Sequence, residues 1–319
     1  HEGGHYLVAR FCGMRVERFS IGFGPPLLRW KSRETQFQVA PILFGGFVQI
    51  TGMNPHDEFD EKDPTVFPNR PTWQRFLAIL AGPATNYLFA IVLSFVVIAV
   101  AGEEVNRATN VVGAVVADKP VSQVLHEGDR VLAVNGHALP AEGQDLHLIV
   151  RGALADADGK AVPVVVVRDG VEQTVYVEPY LSDAEKDKDG KEKPGHYMLG
   201  VSFSYARESR SIGQAAVIAG KFPVAFSGRL LTLLKRVITR EETDARPIGP
   251  IGMTDMIRSR IREGWISALE ILAILNVSLG LFNLLPFPAL DGGRLAFLGY
   301  ELITRRRPNP KIEAAIHMV

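Results

Sequence analysis

No charged side chain interrupts FLAILAGPATNYLFAIVLSFVVIAVAG, residues 76–102. A helix of about 20 apolar residues crosses the ~30 Å hydrocarbon core of a bilayer, and this run is longer than that. A second charge-free run follows at residues 271–290, and the turns before it carry Glu270 near one end. A buried core helix is the alternative for each run, but the length of the first favours a membrane span. We therefore predict a polytopic α-helical membrane protein.

The overall composition excludes several other classes of protein. The chain has 319 residues, with 35 Lys plus Arg against 35 Asp plus Glu, so its formal net charge is zero. A neutral chain lacks the basic excess of nucleic-acid-binding proteins, and we expect no nucleic-acid partner. Hydrophobic residues make up 47% of the chain, which is too many for disorder. Cys12 is the single cysteine, so the sequence forms neither an intramolecular disulfide nor a cysteine-rich metal site.

Basic residues flank the two runs and predict the orientation of the chain. Lys and Arg beside a span mark the cytoplasmic side. The basic residues of the two flanks are Arg10, Arg15, Arg18, Arg29, Lys31, Arg33, Arg70 and Arg75 before the first run, and Arg294, Arg305, Arg306, Arg307 and Lys311 after the second. Both flanks are therefore predicted to be cytoplasmic, and residues 103–264 to lie on the opposite side. We expect a multi-pass protein of the cell (inner) membrane.

The region between the runs contains a pattern of short strands. The segment EGDRVLAVNGHAL, residues 127–139, resembles part of a PDZ domain, and DLHLIVRGA, residues 145–153, matches the helix that borders the peptide groove of that fold. Asp169-Gly170 between two valine-rich runs predicts a hairpin turn. We expect an extracytoplasmic PDZ-like (α+β) domain at residues 105–204. The alternative is a PDZ-like cap that binds no specific peptide.

The segment after this domain is harder to assign. Residues 211–240 have apolar side chains at helical spacing with basic residues at intervals. Such a helix lies either in the membrane interface or on an ordinary protein surface, and the sequence does not decide between them.

The first five residues, His1-Glu2-Gly3-Gly4-His5, form an HExxH motif. On a helix His1 and His5 lie about 40° apart on one face, and Glu2 falls on the same side. Two neutral imidazoles one turn apart suit two corners of a tetrahedral zinc site, and the carboxylate then takes a proton from water. A helix with two unrelated histidines is the alternative. The two glycines suit a helix that packs closely against another helix in lipid.

Asp291 is the candidate for the third zinc ligand. It follows NLLPFPAL at the inner end of the second run, and a carboxylate at the margin of the bilayer is costly unless it is paired or metal-bound. Pro286 and Pro288 break the helix before it, and irregular backbone at membrane depth persists only where protein or a water-filled cavity covers it. The alternative is that Asp291 only caps the following helix.

A β-prone, glycine-containing stretch lies in the polar loop after the first helix. It is FQVAPILFGGFVQITGMN, residues 37–54, and we predict a membrane-associated β-hairpin there. Its edge is suited to pairing with an extended substrate strand. The alternative is a hairpin that only shields the site.

Together these features resemble the site-2 protease family of intramembrane zinc metalloproteases. HExxH at the start, NLLPFPALDGG at residues 283–293 and a PDZ-like domain between the spans carry the resemblance, which is closest to the bacterial regulator-of-sigma-E-protease-like branch with one PDZ-like domain. AGPATNYLFA, residues 81–90, resembles the second membrane motif of the family, and IGPIGM, residues 248–253, its segment before the third span.

The resemblance implies the chemistry of the site. It assigns zinc to His1, His5 and Asp291, makes Glu2 the catalytic base, and implies that Asn283 contacts the substrate backbone near the scissile bond. It implies an active site toward the cytoplasmic side, a lipid bilayer around it, and regulated intramembrane proteolysis of single-span membrane proteins. A non-catalytic membrane scaffold that holds partners through its PDZ-like domain is the alternative function.

The same resemblance divides the chain into four parts. The chain begins inside the HExxH helix and ends abruptly, so we expect truncated membrane segments at both ends. The parts are residues 1–104 (truncated first helix, β-hairpin loop and second span), 105–204 (PDZ-like domain), 205–264 (amphipathic connecting region) and 265–319 (third span, LDG motif and truncated C-terminal part).

Overall fold

The structure is a computed structural model that describes residues 1–54, 59–60, 62–116, 119–182, 195–239 and 250–306. Within these ranges the helices are α1 (Glu2–Phe11), α2 (Thr72–Ala101), α3 (Leu146–Ala155), α4 (Ile212–Thr239), α5 (Pro250–Arg262), α6 (Trp265–Leu284) and α7 (Asp291–Thr304). The strands are β1 (Val16–Phe23), β2 (Leu28–Ser32), β3 (Thr35–Val39), β4 (Ile42–Ile50), β5 (Glu103–Val115), β6 (Arg130–Val134), β7 (His137–Ala138), β8 (Glu142–Gly143), β9 (Val162–Arg168), β10 (Val171–Val177), β11 (Tyr180–Leu181), β12 (Tyr197–Met198) and β13 (Val201–Glu208).

The chain divides into two compact units. The first, unit 1, comprises residues 1–97 and 213–319, and the second, unit 2, comprises residues 98–212. Each predicted part of the chain falls partly outside the described residues. The residues that fall outside are 55–58 and 61 of the first core part, 117–118 and 183–194 of the PDZ-like domain, 240–249 of the connecting region (with 248–249 of the IGPIGM motif) and 307–319 of the C-terminal part.

Unit 1 contains long apolar helices. Among the described residues, three helices that lie mostly in this unit are long and apolar enough to cross a membrane, α2 with 30 residues, α4 with 28 and α6 with 20. The charge-free runs correctly predict α2 and α6. The third candidate, α4, lies in the segment for which the sequence did not decide between the membrane interface and a protein surface. The sequence analysis predicted no span there because Lys221 and Arg229 interrupt the apolar pattern. These helices pack together through small and aliphatic side chains, with Phe222 and Phe226 of α4 against Ala90, Leu93, Ala273 and Val277.

A four-stranded sheet precedes α2 in unit 1. Its strand order is β2-β3-β1-β4, with β1 parallel to β3 and antiparallel to β4. Helix α1 packs on this sheet through a core that includes Ala9, Met14 and Ile50. The predicted β-hairpin at residues 37–54 is wrong in its pairing, because β1 lies between β3 and β4. The hairpin in this sheet is β2 with β3, which are joined by the turn at residues 33–34.

Unit 2 is built on a sheet of the order β10-β9-β6-β5-β13, and β7 and β8 pair with β6 and β5. Valines and leucines from these strands and from α3 form its core, including Val131, Val164 and Leu154. The predicted turn is confirmed, because β9 and β10 pair with Arg168 opposite Val171. Asp169 and Gly170 both have positive φ, 50° and 80°, which the tight hairpin turn requires.

Candidate metal centre

Helix α1 places the two motif histidines side by side. His1 stands at its N-cap and His5 one turn later, so both rings project from one face. Their Nε2 atoms lie 3.3 Å apart, and the two ring planes are nearly perpendicular, at 84°. His5 is buried and His1 is half-buried. The helix therefore orients two imidazole nitrogens toward one point.

Asp291 completes the cluster from the other end of unit 1. It is the first residue of α7, and its Oδ2 lies 3.1 Å from His1 Nε2 and 3.3 Å from His5 Nε2. Helix α6 ends at Leu284, and after the turn at residues 285–290 helix α7 begins at Asp291, beside His1 of α1. A Cβ at Gly292 would overlap the backbone carbonyls of Leu284 and Leu285, so the turn depends on glycine at this position.

The donor set fits zinc. In a tetrahedral site with bonds of about 2.0–2.1 Å, ligand atoms lie about 3.3 Å apart, which matches the three separations found here. Asp291 Oδ2 is buried and makes no hydrogen bond, although both imidazole nitrogens lie next to it. Such an arrangement indicates that the three atoms face a common centre rather than one another. In the described part of the chain, this is the one cluster of three metal-ligating side chains.

Helix α2 forms the wall behind the histidines. His5 Nδ1 donates to the backbone oxygen of Ala78 at 2.9 Å, and Asn86 lies 3.3 Å from His1 Nδ1. A Cβ at Gly82 would overlap the His5 ring, so the helix approaches closely only because this residue is glycine. The sequence analysis did not predict the contacts of Ala78 and Asn86 with the histidines. The signal that could have indicated the second contact was the amide of Asn86 within a charge-free run.

The glycines of the HExxH motif differ in their surroundings. A Cβ at Gly4 would overlap the Ala81 oxygen of α2, and this bears out the interpretation that glycine permits close helix packing. Gly3 has open space around it, so the interpretation is wrong for that position.

Glu2 lies between the histidines and strand β4. The backbone of Val48 lies near its carboxylate, and a Cβ at Gly46 would stand 3.3 Å from Glu2 Cγ. The strand thus passes directly beside the predicted base. Glycine is needed at position 46 because a Cβ there would overlap the Ser20 oxygen of β1.

Asn283 lies near the C-terminal end of α6 with its side chain exposed. Its Nδ2 donates to the Leu279 oxygen of the same helix at 3.0 Å. Ser278 likewise donates to Ile274 at 2.9 Å. Both side chains are thus bonded to their own helix, and the structure does not bring Asn283 into the cluster of His1, His5 and Asp291.

Comparison with known sequences gives a consistent result over the full length. The sequence model of peptidase family M50 matches residues 1–319. Three similar bacterial proteins carry the name "Putative zinc metalloprotease". One from Mesorhizobium japonicum is 33% identical, covering 96% of this chain and 86% of its own length. One from Fusobacterium nucleatum is 28% identical, covering 99% of this chain and 88% of its own length. One from Clostridium perfringens is 30% identical, covering 100% of this chain and 89% of its own length.

Proposed function

Since the chain belongs to peptidase family M50, the site-2 protease family of zinc-dependent membrane metalloproteases, we propose that it cleaves transmembrane segments of single-span membrane proteins within the bilayer. The cleavage is a step of regulated intramembrane proteolysis, and the enzyme belongs to the regulator-of-sigma-E-protease-like branch. Its partners are transmembrane substrates and the surrounding lipid.

The depth of the metal centre along α2 carries this proposal. Asn86, which contacts His1, stands near the middle of this 30-residue helix. At 1.5 Å per residue, that is about 20 Å from either end of the helix. A helix of this length and composition is able to cross a bilayer. The catalytic residues at that level would meet a peptide bond inside the membrane rather than in a soluble loop.

Three side chains hold the metal in this proposal, and Glu2 is the base. Zinc held by His1, His5 and Asp291 supplies a Lewis acid that polarises the scissile carbonyl and makes water more acidic. Glu2 accepts a proton from the attacking water and returns it to the leaving amide nitrogen.

Asn283 has the role of a substrate contact. Its exposed amide at the end of α6 is suited to hydrogen bonding with the backbone of an extended substrate. To make this contact, the amide gives up its present bond to Leu279.

A transmembrane helix satisfies its own backbone hydrogen bonds, so the substrate must unwind before its carbonyl is attacked. Within the described ranges, strand β4 has one neighbour in the sheet order β2-β3-β1-β4, and it passes Glu2 at Gly46. We propose that the substrate pairs with the other edge of β4, which replaces the hydrogen bonds lost on unwinding. The alternative role is that the sheet only shields the site.

Unit 2 corresponds to the extracytoplasmic PDZ-like domain of this proposal, at residues 105–204. The helix α3 and the strands β6, β9 and β10 supply the elements that the sequence pattern predicts. In this proposal the metal centre faces the cytoplasmic side, and residues 1–104 and 265–319 form the membrane metalloprotease core. Residues 205–264, whose helix α4 packs against α2 and α6, connect this core to unit 2.

The experiment that tests the function maps the cut within a substrate. The purified chain is reconstituted with a designed single-span protein, and the products are identified by mass spectrometry. We expect a zinc-chelator-sensitive cut within the membrane segment. The matched control is a soluble fusion in which the same segment is replaced by a polar linker, which should stay intact. Cutting in the linker or outside the span contradicts intramembrane cleavage, and partner binding without any cut favours the scaffold.

A further inference from the structure

Asn86 is a buried amide inside an apolar helix. Its relative exposure is 2%, and it lies within the charge-free run that the sequence analysis identified. A buried amide without partners is costly, and most of all in a membrane. Its amide nitrogen Nδ2 lies 3.3 Å from His1 Nδ1. The amide is therefore placed for one histidine nitrogen.

The chemistry of His1 decides which end of the amide faces it. A neutral imidazole carries its proton on one nitrogen and offers a lone pair on the other. The Nε2 atom of His1 lies 3.1 Å from Asp291 Oδ2, on the side of the metal centre. For Nε2 to offer its lone pair there, the proton must be on Nδ1. The atom of Asn86 that meets Nδ1 must then accept a hydrogen bond, and only the amide oxygen does so.

His5 gives an internal comparison for this assignment. Its Nδ1 faces the backbone oxygen of Ala78, which has no proton to donate. The Nδ1 of His5 is therefore the donor, and its Nε2 is free for the metal. Amide oxygen and nitrogen are assigned from the hydrogen-bond network, so the same reasoning exchanges the two atoms of Asn86 and turns its oxygen, in place of Nδ2, toward His1 Nδ1. With the oxygen toward His1, the two histidines are held in the same way.

We propose that Asn86 is a positioning residue that fixes the tautomer and ring orientation of His1 by accepting a hydrogen bond from its Nδ1–H. The inference rests on the proposed zinc ligation by His1. The opposite orientation, with the amide donating to Nδ1, places the proton on Nε2 and blocks ligation. Helix α2 thus supplies both histidines with acceptors, the Asn86 amide for His1 and the Ala78 backbone carbonyl for His5.

Close helix packing holds Asn86 in place. A Cβ at Gly280 of α6 would stand 3.3 Å from Asn86 Cβ and would overlap the Tyr87 ring even more closely. Tyr87 in turn hydrogen-bonds Ser227 of α4 at 2.8 Å. The segment of α2 that carries Asn86 is therefore restrained by both neighbouring helices. Such restraint is expected for a residue that must hold its amide oxygen in a fixed position.

The test compares Asn86→Leu and Asn86→Asp by zinc affinity in the purified full chain, using competition with a chelator. Loss of such an outer hydrogen bond typically weakens metal binding 10–100-fold. We expect that loss for Asn86→Leu, and affinity within a few-fold of the original for Asn86→Asp, since a carboxylate oxygen accepts. Cobalt in place of zinc should give the same tetrahedral absorption bands in the parent and Asn86→Asp proteins, with altered bands in Asn86→Leu.

Asn276→Leu is the matched control, because Asn276 is an exposed amide of α6 that bonds Leu272 of its own helix. It should bind zinc like the parent. Unchanged affinity in Asn86→Leu overturns the proposal, and so does an Asn86→Asp variant as weak as Asn86→Leu, since the amide would then act as a donor. If the parent cleaves its substrate and Asn86→Leu binds zinc as tightly as the parent, only the positioning role is rejected.

If the zinc affinities are as expected but neither the parent nor any variant cleaves the substrate, only the protease function is rejected.

Discussion

Arg75 of α2 and Glu301 of α7 form a buried ion pair, with Arg75 Nη2 donating to Glu301 Oε1 at 2.6 Å. Both side chains are only 9% exposed, and Thr72 Oγ1 adds a hydrogen bond to the same oxygen at 3.0 Å. The pair links the helix that carries the Ala78 acceptor to the helix that begins at Asp291. It therefore helps to set how α7 lies against α2, and with it the position of Asp291, the proposed third metal ligand.

Breaking this pair should be costly. Removing one partner of a buried ion pair leaves the other charge unpaired, at a cost of about 3–5 kcal/mol. We expect Glu301→Gln to lower the thermal unfolding midpoint of the purified protein and to weaken zinc binding. Glu263→Gln, in the exposed pair with Arg260, serves as the control and should change neither. Equal midpoints for Glu301→Gln and the parent would show that the pair does not hold α7.

Asp291→Ala should remove most of the bound zinc while the protein stays inserted in the membrane. The variant takes away one of three ligand atoms, and the two remaining imidazoles of His1 and His5 make an incomplete site. Metal analysis of purified protein measures the result. Asp156→Ala, at an exposed carboxylate of unit 2, should keep its zinc. Full zinc retention in Asp291→Ala would remove Asp291 from the site.

Gly82→Ala should reduce zinc binding although alanine favours helix. Alanine replaces glycine in a helix interior with a gain of about 1 kcal/mol in propensity. At position 82, however, the new Cβ would overlap the His5 ring, so the ring must move away from the centre. Gly220→Ala in α4 is the matched control, since its Cβ meets open space. We expect that control to keep its zinc and to unfold at the same or a higher temperature. Normal zinc affinity in Gly82→Ala contradicts the close approach of α2.

The stability of unit 2 should fall in acid because of Asp129. Hydrogen bonds from Arg168, at 2.8 and 2.7 Å, and from the His126 N–H hold the pKa of Asp129 below its usual value, against the opposing effect of burial. A lowered pKa in the folded state gives stability that is present above the unfolded pKa of about 3.9 and is lost as pH falls through the folded value.

Thermal unfolding of the full chain between neutral pH and pH 3 measures this effect, and Asp129→Asn is the comparison. The variant should be less stable at neutral pH, and the difference from the parent should shrink in acid. A difference that is constant with pH would show that the charge of Asp129 does not contribute.

Local patterns predicted the parts of this structure that depend on short-range geometry. The spacing of His1 and His5 follows from the helix repeat, and the Asp169-Gly170 turn follows from the positive φ that it requires. Contacts between distant segments are not encoded locally. The parallel pairing of β1 with β3 separates β3 from β4, and it depends on the whole sheet rather than on residues 37–54.

The contacts that other residues make with the candidate metal ligands could not be predicted from local sequence either. The sequence provided the ligand candidates because histidines and an acid are rare beside apolar runs. It gave no indication that the Ala78 carbonyl meets His5, because a backbone atom leaves no trace in residue type. Arg75 and Glu301 lie 226 positions apart, and only the packing of α7 on α2 brings them together.

Glu2→Gln separates a protease from a scaffold. Glutamine keeps the size and polarity of the side chain next to Val48 but does not accept a proton from water. We expect the variant to keep zinc, membrane insertion and substrate binding, while cleavage of a single-span substrate falls by at least ~10²–10⁴-fold, the usual contribution of general acid–base catalysis. Glu127→Gln, at an exposed loop position of unit 2, is the matched control and should cleave normally.

The products should be quantified over time in reconstituted membranes, with zinc content measured on the same samples. A Glu2→Gln protein that loses its zinc would show that the carboxylate supports the metal rather than the proton transfer. Near-parental cleavage by Glu2→Gln would reject Glu2 as the base, since no small loss is compatible with removing it. Binding of the substrate by parent and variant alike, with no cleavage by either, would instead support a scaffold that retains the ligand geometry of His1, His5 and Asp291.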